Sequence, residues 1–206
     1  MKKTVLLFLT CVLLPIFTFA QIIENVDFIS PFHNDVAAIK KDGKWAFIDE
    51  KGNLIIDFRS DLATTESNDG NYPMFSDSRC QIVEEKAGIS YFGFIDKSGK
   101  TVIEPEYLNV YNFNDGKAIA LKLDKRVIGK NTALGKDMVD YNYFEVLVNT
   151  EGEVNYYLTQ EGISVVLDKK YLRATPPITS KYLEDDLYAI QGKNKKWNII
   201  KIEIKK

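Results

Sequence analysis

An internal repeat constrains the fold of this chain more than any other feature of its sequence. Residues 45–56 align without a gap with residues 92–103, at an offset of 47 positions. A third copy at 145–154 follows after a further 53 positions, and a shortened fourth copy occupies 187–192 and 196–200. Periods of this size are typical of stacked supersecondary units, so we expect about four copies of one unit.

The local pattern inside each copy predicts β-strands. Trp45 and Phe47 alternate with residues that point to the opposite face of a strand. The pair Asp42-Gly43 separates two such runs and predicts a hairpin, because glycine adopts positive φ without a Cβ clash. Helical periodicity is scarce. We predict an all-β fold of three-stranded antiparallel meanders, forming a twisted repeat array or a partly closed barrel.

A second turn recurs in the first three copies, with the pattern Asp or Asn, two residues, then Gly. The acid or amide accepts hydrogen bonds from the turn backbone, and the glycine occupies the left-handed position. We interpret these side chains as parts of the turn and not as catalytic acids. They are Asp49 and Gly52, Asp96 and Gly99, and Asn149 and Gly152.

Aromatic residues recur at one further position, occupied by Trp45, Phe92 and Trp197. We expect these rings to be core residues that pack unit against unit. Exposed rings that stack on carbohydrate are the alternative.

Two insertions, at 58–73 and 123–142, interrupt the pattern. They are either loops that carry specificity or tolerated surface insertions. Tyr141, Tyr143 and Tyr156 flank the second one and form a possible binding surface. The expected domain covers residues 21–206, with units at about 32–58, 75–107, 113–157 and 187–204.

The beginning of the chain has the features of an export signal. A basic pair, Lys2 and Lys3, precedes an apolar run at 5–17, and small side chains precede a cleavage point at Gln21. The apolar run is shorter than the roughly 20 residues that span a bilayer. We therefore expect residues 1–20 to be a signal peptide and the protein to be periplasmic or extracellular.

The two cysteines indicate neither a lipid anchor nor an internal disulfide. Cys11 lies inside the apolar run, and Thr10 before it is larger than the residue that a lipobox takes at that place. Cys80 alone remains after cleavage, and we expect it to be a small buried strand residue.

Composition disfavours several functional classes. The formal net charge of −2 falls to −4 without the two lysines of the leader, which argues against nucleic-acid binding. The single histidine, His33, lies in an expected turn, and the chain has no Gly-x-Ser-x-Gly motif. Acidic clusters lack the ligand spacing of a known calcium loop. We expect no catalytic residue, no metal and no cofactor.

The unit resembles that of the bacterial WG-repeat (KWG-type) family, which reads Asp-Gly-Lys-Trp-Gly-aromatic-Ile-Asp-x-x-Gly, then an apolar pair, Pro and an aromatic. Residues 41–56 match it with Ala46 in place of the motif Gly. The second copy has Phe92 in place of Trp, keeps Gly93, and supplies the tail with Pro105. The resemblance implies an all-β repeat protein with no common enzymatic activity, usually taken for a binding scaffold.

These observations together predict an exported, non-enzymatic binding module that contacts a protein or another component of the cell envelope. One alternative is a glycan-binding or carbohydrate-active protein that uses loop carboxylates and tyrosines. Another is a structural envelope protein without a specific ligand.

Overall fold

Antiparallel strands make up the regular structure of the chain. The computed structural model describes residues 23–192 and 194–203, and it contains no helix in these ranges. The expected signal peptide, at 1–20, lies outside them. The strands are β1 (Phe28–His33), β2 (Val36–Lys41), β3 (Lys44–Asp49), β4 (Leu54–Arg59), β5 (Thr65–Ser67), β6 (Gly70–Tyr72), β7 (Phe75–Ser76), β8 (Arg79–Lys86), β9 (Ile89–Ile95), β10 (Thr101–Val110), β11 (Lys117–Asn131), β12 (Lys136–Asn149), β13 (Val154–Tyr157), β14 (Ile163–Ser164), β15 (Lys181–Tyr182), β16 (Leu187–Gln191) and β17 (Trp197–Lys201).

The first unit is a meander in the order β1-β2-β3-β4. Its central hairpin turns at Asp42 and Gly43, whose φ angles are 50° and 76°, as a two-residue turn with two positive φ angles requires. The unit has four strands where three were expected, because the segment before β2 pairs as β1. It accordingly begins at Phe28, before the expected start at 32.

The second and third units share one sheet of eight strands. Its order is β13-β12-β11-β10-β9-β8-β7, with β14 added to β12. The shared strand, β10, closes the second unit on β9 and opens the third on β11. The all-β antiparallel prediction is confirmed. No sheet in the described ranges closes into a barrel, so the open repeat array agrees with the structure and the partly closed barrel does not.

The fourth unit is a separate sheet in the order β15-β16-β17. An irregular segment that contains Pro176 and Pro177 leads into it. Its apolar side chains Tyr188 and Ile202 pack against Leu121 and Leu147 of the eight-stranded sheet. The fourth unit therefore covers one face of that sheet.

Both insertions contain paired strands and not the loops that were expected. In the first, β5 and β6 form a hairpin, and Tyr72 at its end is fully buried. In the second, β11 and β12 continue as an antiparallel ladder from Leu123↔Tyr143 to Asn131↔Lys136, with a bulge between Val127 and Gly129. We call residues 123–142 the arm.

Aromatic contacts join successive units through equivalent residues. Phe47 of the first unit meets Phe75 at the start of the second, with ring centroids 4.8 Å apart. Phe94 of the second unit meets Phe113 at the start of the third, at 4.7 Å. Both pairs are edge-to-face, a favourable geometry for buried rings. The ring that precedes the second copy of the repeat and the ring that precedes the third thus each pack on the copy before them.

Candidate functional site

The turn acids are occupied by backbone hydrogen bonds. Asp49 Oδ1 accepts from the N–H groups of Lys51, at 2.9 Å, and Asn53, at 2.8 Å. Hydrogen bonds from Asn53 hold the pKa of Asp49 below its ordinary value. Gly52 closes the turn at φ +80°, where a side chain would be strained.

The other two copies repeat this arrangement. Asp96 Oδ1 accepts from Ser98 N at 2.8 Å, and hydrogen bonding by Ser98 lowers the pKa of Asp96. Asn149 Oδ1 accepts from Glu153 N at 2.8 Å, so a neutral amide fills the same role. Because an amide suffices, the turn requires an acceptor at this position and does not require a charge.

The same turns receive contacts from the preceding unit. Arg59 Nη1 in β4 donates to Gly99 O at 2.9 Å, and Tyr107 Oη in β10 donates to Gly152 O at 3.1 Å. Arg59 and Tyr107 correspond, because each is the cross-strand partner of the recurring aromatic position. Burial raises the pKa of Tyr107 to about 12. Hydrogen bonds from the last strand of one unit to the turn of the next therefore define the joint between successive units.

A cavity of about 590 Å³ lies at the first of these joints, beside Arg59 and Gly99. Asp61 accepts from Arg59 Nε and Nη2, both at 2.6 Å, a bidentate pair. This pairing holds the pKa of Asp61 below its ordinary value. The positive charge of Arg59 is therefore neutralised by Asp61 within the joint.

The three recurring aromatic residues differ in exposure. Trp45 is 7% exposed and lies under Lys40, whose Nζ is 5.2 Å from the ring centroid. Phe92 is half-buried and pairs with Tyr107. Trp197 is 45% exposed, contrary to the expectation of a core ring.

The motif glycine of the second unit faces a backbone bulge. A Cβ on Gly93 would lie 2.3 Å from Ile103 O and 2.7 Å from Pro105 N. The residues of β10 that pair with Phe94 and Phe92 are four positions apart in the chain. The residues of β4 that pair with the equivalent residues of the first unit are three positions apart. The additional residue brings backbone against Gly93, whereas the narrower bulge accommodates Ala46 in the first unit.

A buried acid replaces the aromatic residue in the third unit. Glu145 is 1% exposed, and its carboxylate accepts from Thr179 N and Oγ1, both at 2.7 Å, and from Ser180 N at 2.8 Å. It ties the connector of the fourth unit to β12. Sequence reasoning missed this residue, although the repeat alignment places it at the position of Phe92, where an acid is unexpected.

The three candidate tyrosines do not form one site. Tyr141 and Tyr143 are half-buried on one face of β12, and burial raises the pKa of Tyr143. Tyr156 is opposite Leu147 and therefore about 13 Å along the strand from Tyr143. This distance separates Tyr156 from the other two tyrosines.

The arm is the most exposed apolar feature of the described chain. Beyond the pair Tyr107↔Lys122, β11 has no neighbour other than β12. Leu134 near the tip is 70% exposed. Apolar groups gathered on a projecting element are typical of an interaction site. The exposed apolar side chains of the arm are Val127, Ile128, Leu134, Met138 and Val139.

His33 and Cys80 have structural environments. His33 ends β1, with Nε2 3.1 Å from Tyr72 Oη, so it lies in a strand and not in the turn that was expected. Cys80 is buried in β8, and burial raises the pKa of its thiol. Within 23–192 and 194–203, no three His, Cys, Asp or Glu side chains are grouped as metal ligands. The same ranges contain no helix long and apolar enough to cross a membrane.

Comparison with known proteins gives one family match. A family model described as WG containing repeat matches residues 21–45, 45–73 and 92–125. No curated protein and no solved structure matches the chain.

Proposed function

WG repeats occur at three places within residues 21–125, and from that premise we propose that the chain is an exported, non-enzymatic binding module. Its partner is a protein or another component of the bacterial cell envelope. Export is supported by the basic, apolar and small-residue regions of residues 1–20.

The arm is the observation that carries this proposal. The units bury apolar side chains of their strands in hydrophobic clusters, whereas the arm leaves five large apolar side chains exposed on a two-stranded ladder. Single exposed apolar residues are ordinary on protein surfaces, but five on the two faces of one projecting hairpin are not. Contact with a partner would bury these side chains at the arm.

The hydrogen bonds of the motif residues support separate roles for the repeats and the arm. Asp49, Asp96 and Asn149 serve turns, and Arg59 and Tyr107 join units. The repeat therefore acts as a scaffold, and the arm, which has no counterpart in the other units, presents the contact surface.

Site-specific photocrosslinking in intact cells tests the proposal. A photoreactive residue in place of Leu134 should give one discrete adduct after irradiation, and the same residue in place of exposed Lys51 should not. The chain recovered from this experiment should begin at Gln21 when its mass is measured. Equal adducts at the two positions, or none at Leu134, would contradict contact through the arm. A chain that retains Met1 would contradict export.

A further inference from the structure

The fourth unit ends in a strand, β17, that corresponds to β3 of the first unit. In the repeat alignment Trp197 occupies the place of Trp45, and Ile199 occupies the place of Phe47. Each strand is the second strand of a hairpin, β2–β3 in the first unit and β16–β17 in the fourth. The two strands can therefore be compared residue by residue.

Backbone geometry identifies the groups of β17 that point away from β16. Gly192 N–H donates to Lys196 O at 2.9 Å, and Ile202 N–H donates to Asp186 O at 2.9 Å. Hydrogen-bonded and non-hydrogen-bonded pairs alternate along an antiparallel ladder, so the backbone groups of the odd-numbered residues face outward. These residues are Trp197, Ile199 and Lys201.

In the first unit, the corresponding edge is covered by β4. Trp45 pairs with Arg59 and Phe47 pairs with Ile56, and both β3 side chains are buried. In the fourth unit the sheet ends at β17 over the part of the chain that the structure describes. The side chains left uncovered are Trp197, 45% exposed, and Ile199, 67% exposed.

We propose that the outer edge of β17 binds an extended segment of a partner polypeptide, which adds a fourth strand to the three that the structure describes in this unit. An open edge offers a row of unpaired N–H and C=O groups to such a segment. The strands that fill this place in the first two units share an apolar pair followed by an acid. They read Ile55-Ile56-Asp57 in β4 and Val102-Ile103-Glu104 in β10.

Charge favours an acidic segment over a second copy of this chain. Lys196 and Lys201 flank the open edge, and Lys181 Nζ lies 5.1 Å from the ring centroid of Trp197. One acid, Glu203, pairs with Lys201 at 3.1 Å. Two such edges would bring lysines together, and like charges across strands repel. An acid in the partner segment would instead be attracted.

A synthetic peptide with blocked ends and the sequence of residues 53–58, which covers β4 as far as Phe58 and carries the single negative charge of Asp57, is the probe. Added to the full chain, it should bind with a Kd of about 10–100 µM. Backbone hydrogen exchange in the wild-type chain should slow at Trp197, Ile199 and Lys201, the outward-facing amides. A scrambled peptide of the same composition should do neither.

Two substitutions of Ile199 distinguish the contribution of its backbone N–H to peptide binding from the contribution of its side chain. Ile199→Pro removes an outward N–H and leaves the ladder to β16 intact, so it should weaken peptide binding by about tenfold or more. Ile199→Val keeps the N–H and should bind like the wild type. Leu134→Ser, in the arm, should also leave peptide binding unchanged, which separates this site from the function proposed above.

Several results would overturn the proposal. They are absence of binding at millimolar peptide, equal binding of the scrambled peptide, and exchange protection elsewhere without protection of β17. Concentration-dependent dimerisation that protects the same amides without peptide would assign the edge to a second copy instead.

Discussion

Replacing Gly93 by alanine should lower the free energy of unfolding by about 3–5 kcal/mol. The new Cβ would lie 2.3 Å from Ile103 O and 2.7 Å from Pro105 N, so it would meet backbone and not the movable end of a side chain. Relief requires β9 and β10 to separate or the bulge to rearrange. Because β10 is shared by the second and third units, the damage should extend to both. Urea denaturation followed by circular dichroism measures the loss.

The first unit supplies the matched control. Ala46 occupies the position that corresponds to Gly93 and is fully buried. Ala46→Gly should cost only about 1 kcal/mol, from a lost methyl group and a more flexible unfolded chain. If Gly93→Ala were no more destabilising than Ala46→Gly, the close approach of the bulge would not be what selects glycine at this position.

Replacing Glu145 by alanine should be of similar severity, with a loss of about 3–5 kcal/mol. The substitution leaves Thr179 N, Thr179 Oγ1 and Ser180 N without their acceptor in a buried site. The fourth unit should then detach more readily from the eight-stranded sheet. Hydrogen exchange along β16 should accelerate more than exchange along β3, which lies in the first unit.

Two further substitutions calibrate this effect. Glu145→Gln retains one acceptor oxygen and should lose about 1–2 kcal/mol, since its NH₂ group cannot accept from Ser180 N. Glu50→Ala, at an exposed turn, should change stability by less than about 0.5 kcal/mol. A Glu145→Ala protein as stable as Glu50→Ala would show that the carboxylate does not hold the fourth unit in place.

Features encoded by local sequence could be predicted. The hairpin at Asp42-Gly43 and the turns closed by Gly52 and Gly99 depend on a few neighbouring residues, so their geometry follows from residue type. The offset of 47 placed Phe47 and Phe94 in equivalent positions, and both rings pack on the aromatic residue that begins the next unit. Repetition therefore revealed the strands and the aromatic positions within each unit.

Features that depend on contacts between distant segments could not be predicted. The sharing of β10 by two units depends on which strands pair, and the repeat alignment does not specify this. The arm contains Gly129, Gly135 and several charges, a composition typical of a loop, yet its two strands pair along their length. Glu145 is an acid in an apolar run and does not lie in a turn. Its burial is explained by the hydrogen bond that its carboxylate accepts from Thr179, 34 residues later in the chain.

Trp197 illustrates the same limit. The alignment identifies its place in the unit, but its exposure depends on whether a neighbouring strand covers it. Trp45 has β4 beside it, and Trp197 has no such strand among the described residues. Equivalent residues in a repeat can therefore have different environments when a neighbouring strand covers one of them and not the other.

The proposed function assigns the scaffold to the repeats and the contact to the arm. It is tested most directly by replacing residues 126–140 with Asn-Gly, so that the pair Lys125↔Tyr141 closes the hairpin. The shortened protein should unfold within about 1 kcal/mol of the wild type, because the deleted side chains are largely exposed. It should lose the envelope partner that crosslinks at Leu134. A shortened protein that folds and still captures that partner at the wild-type level would contradict this assignment.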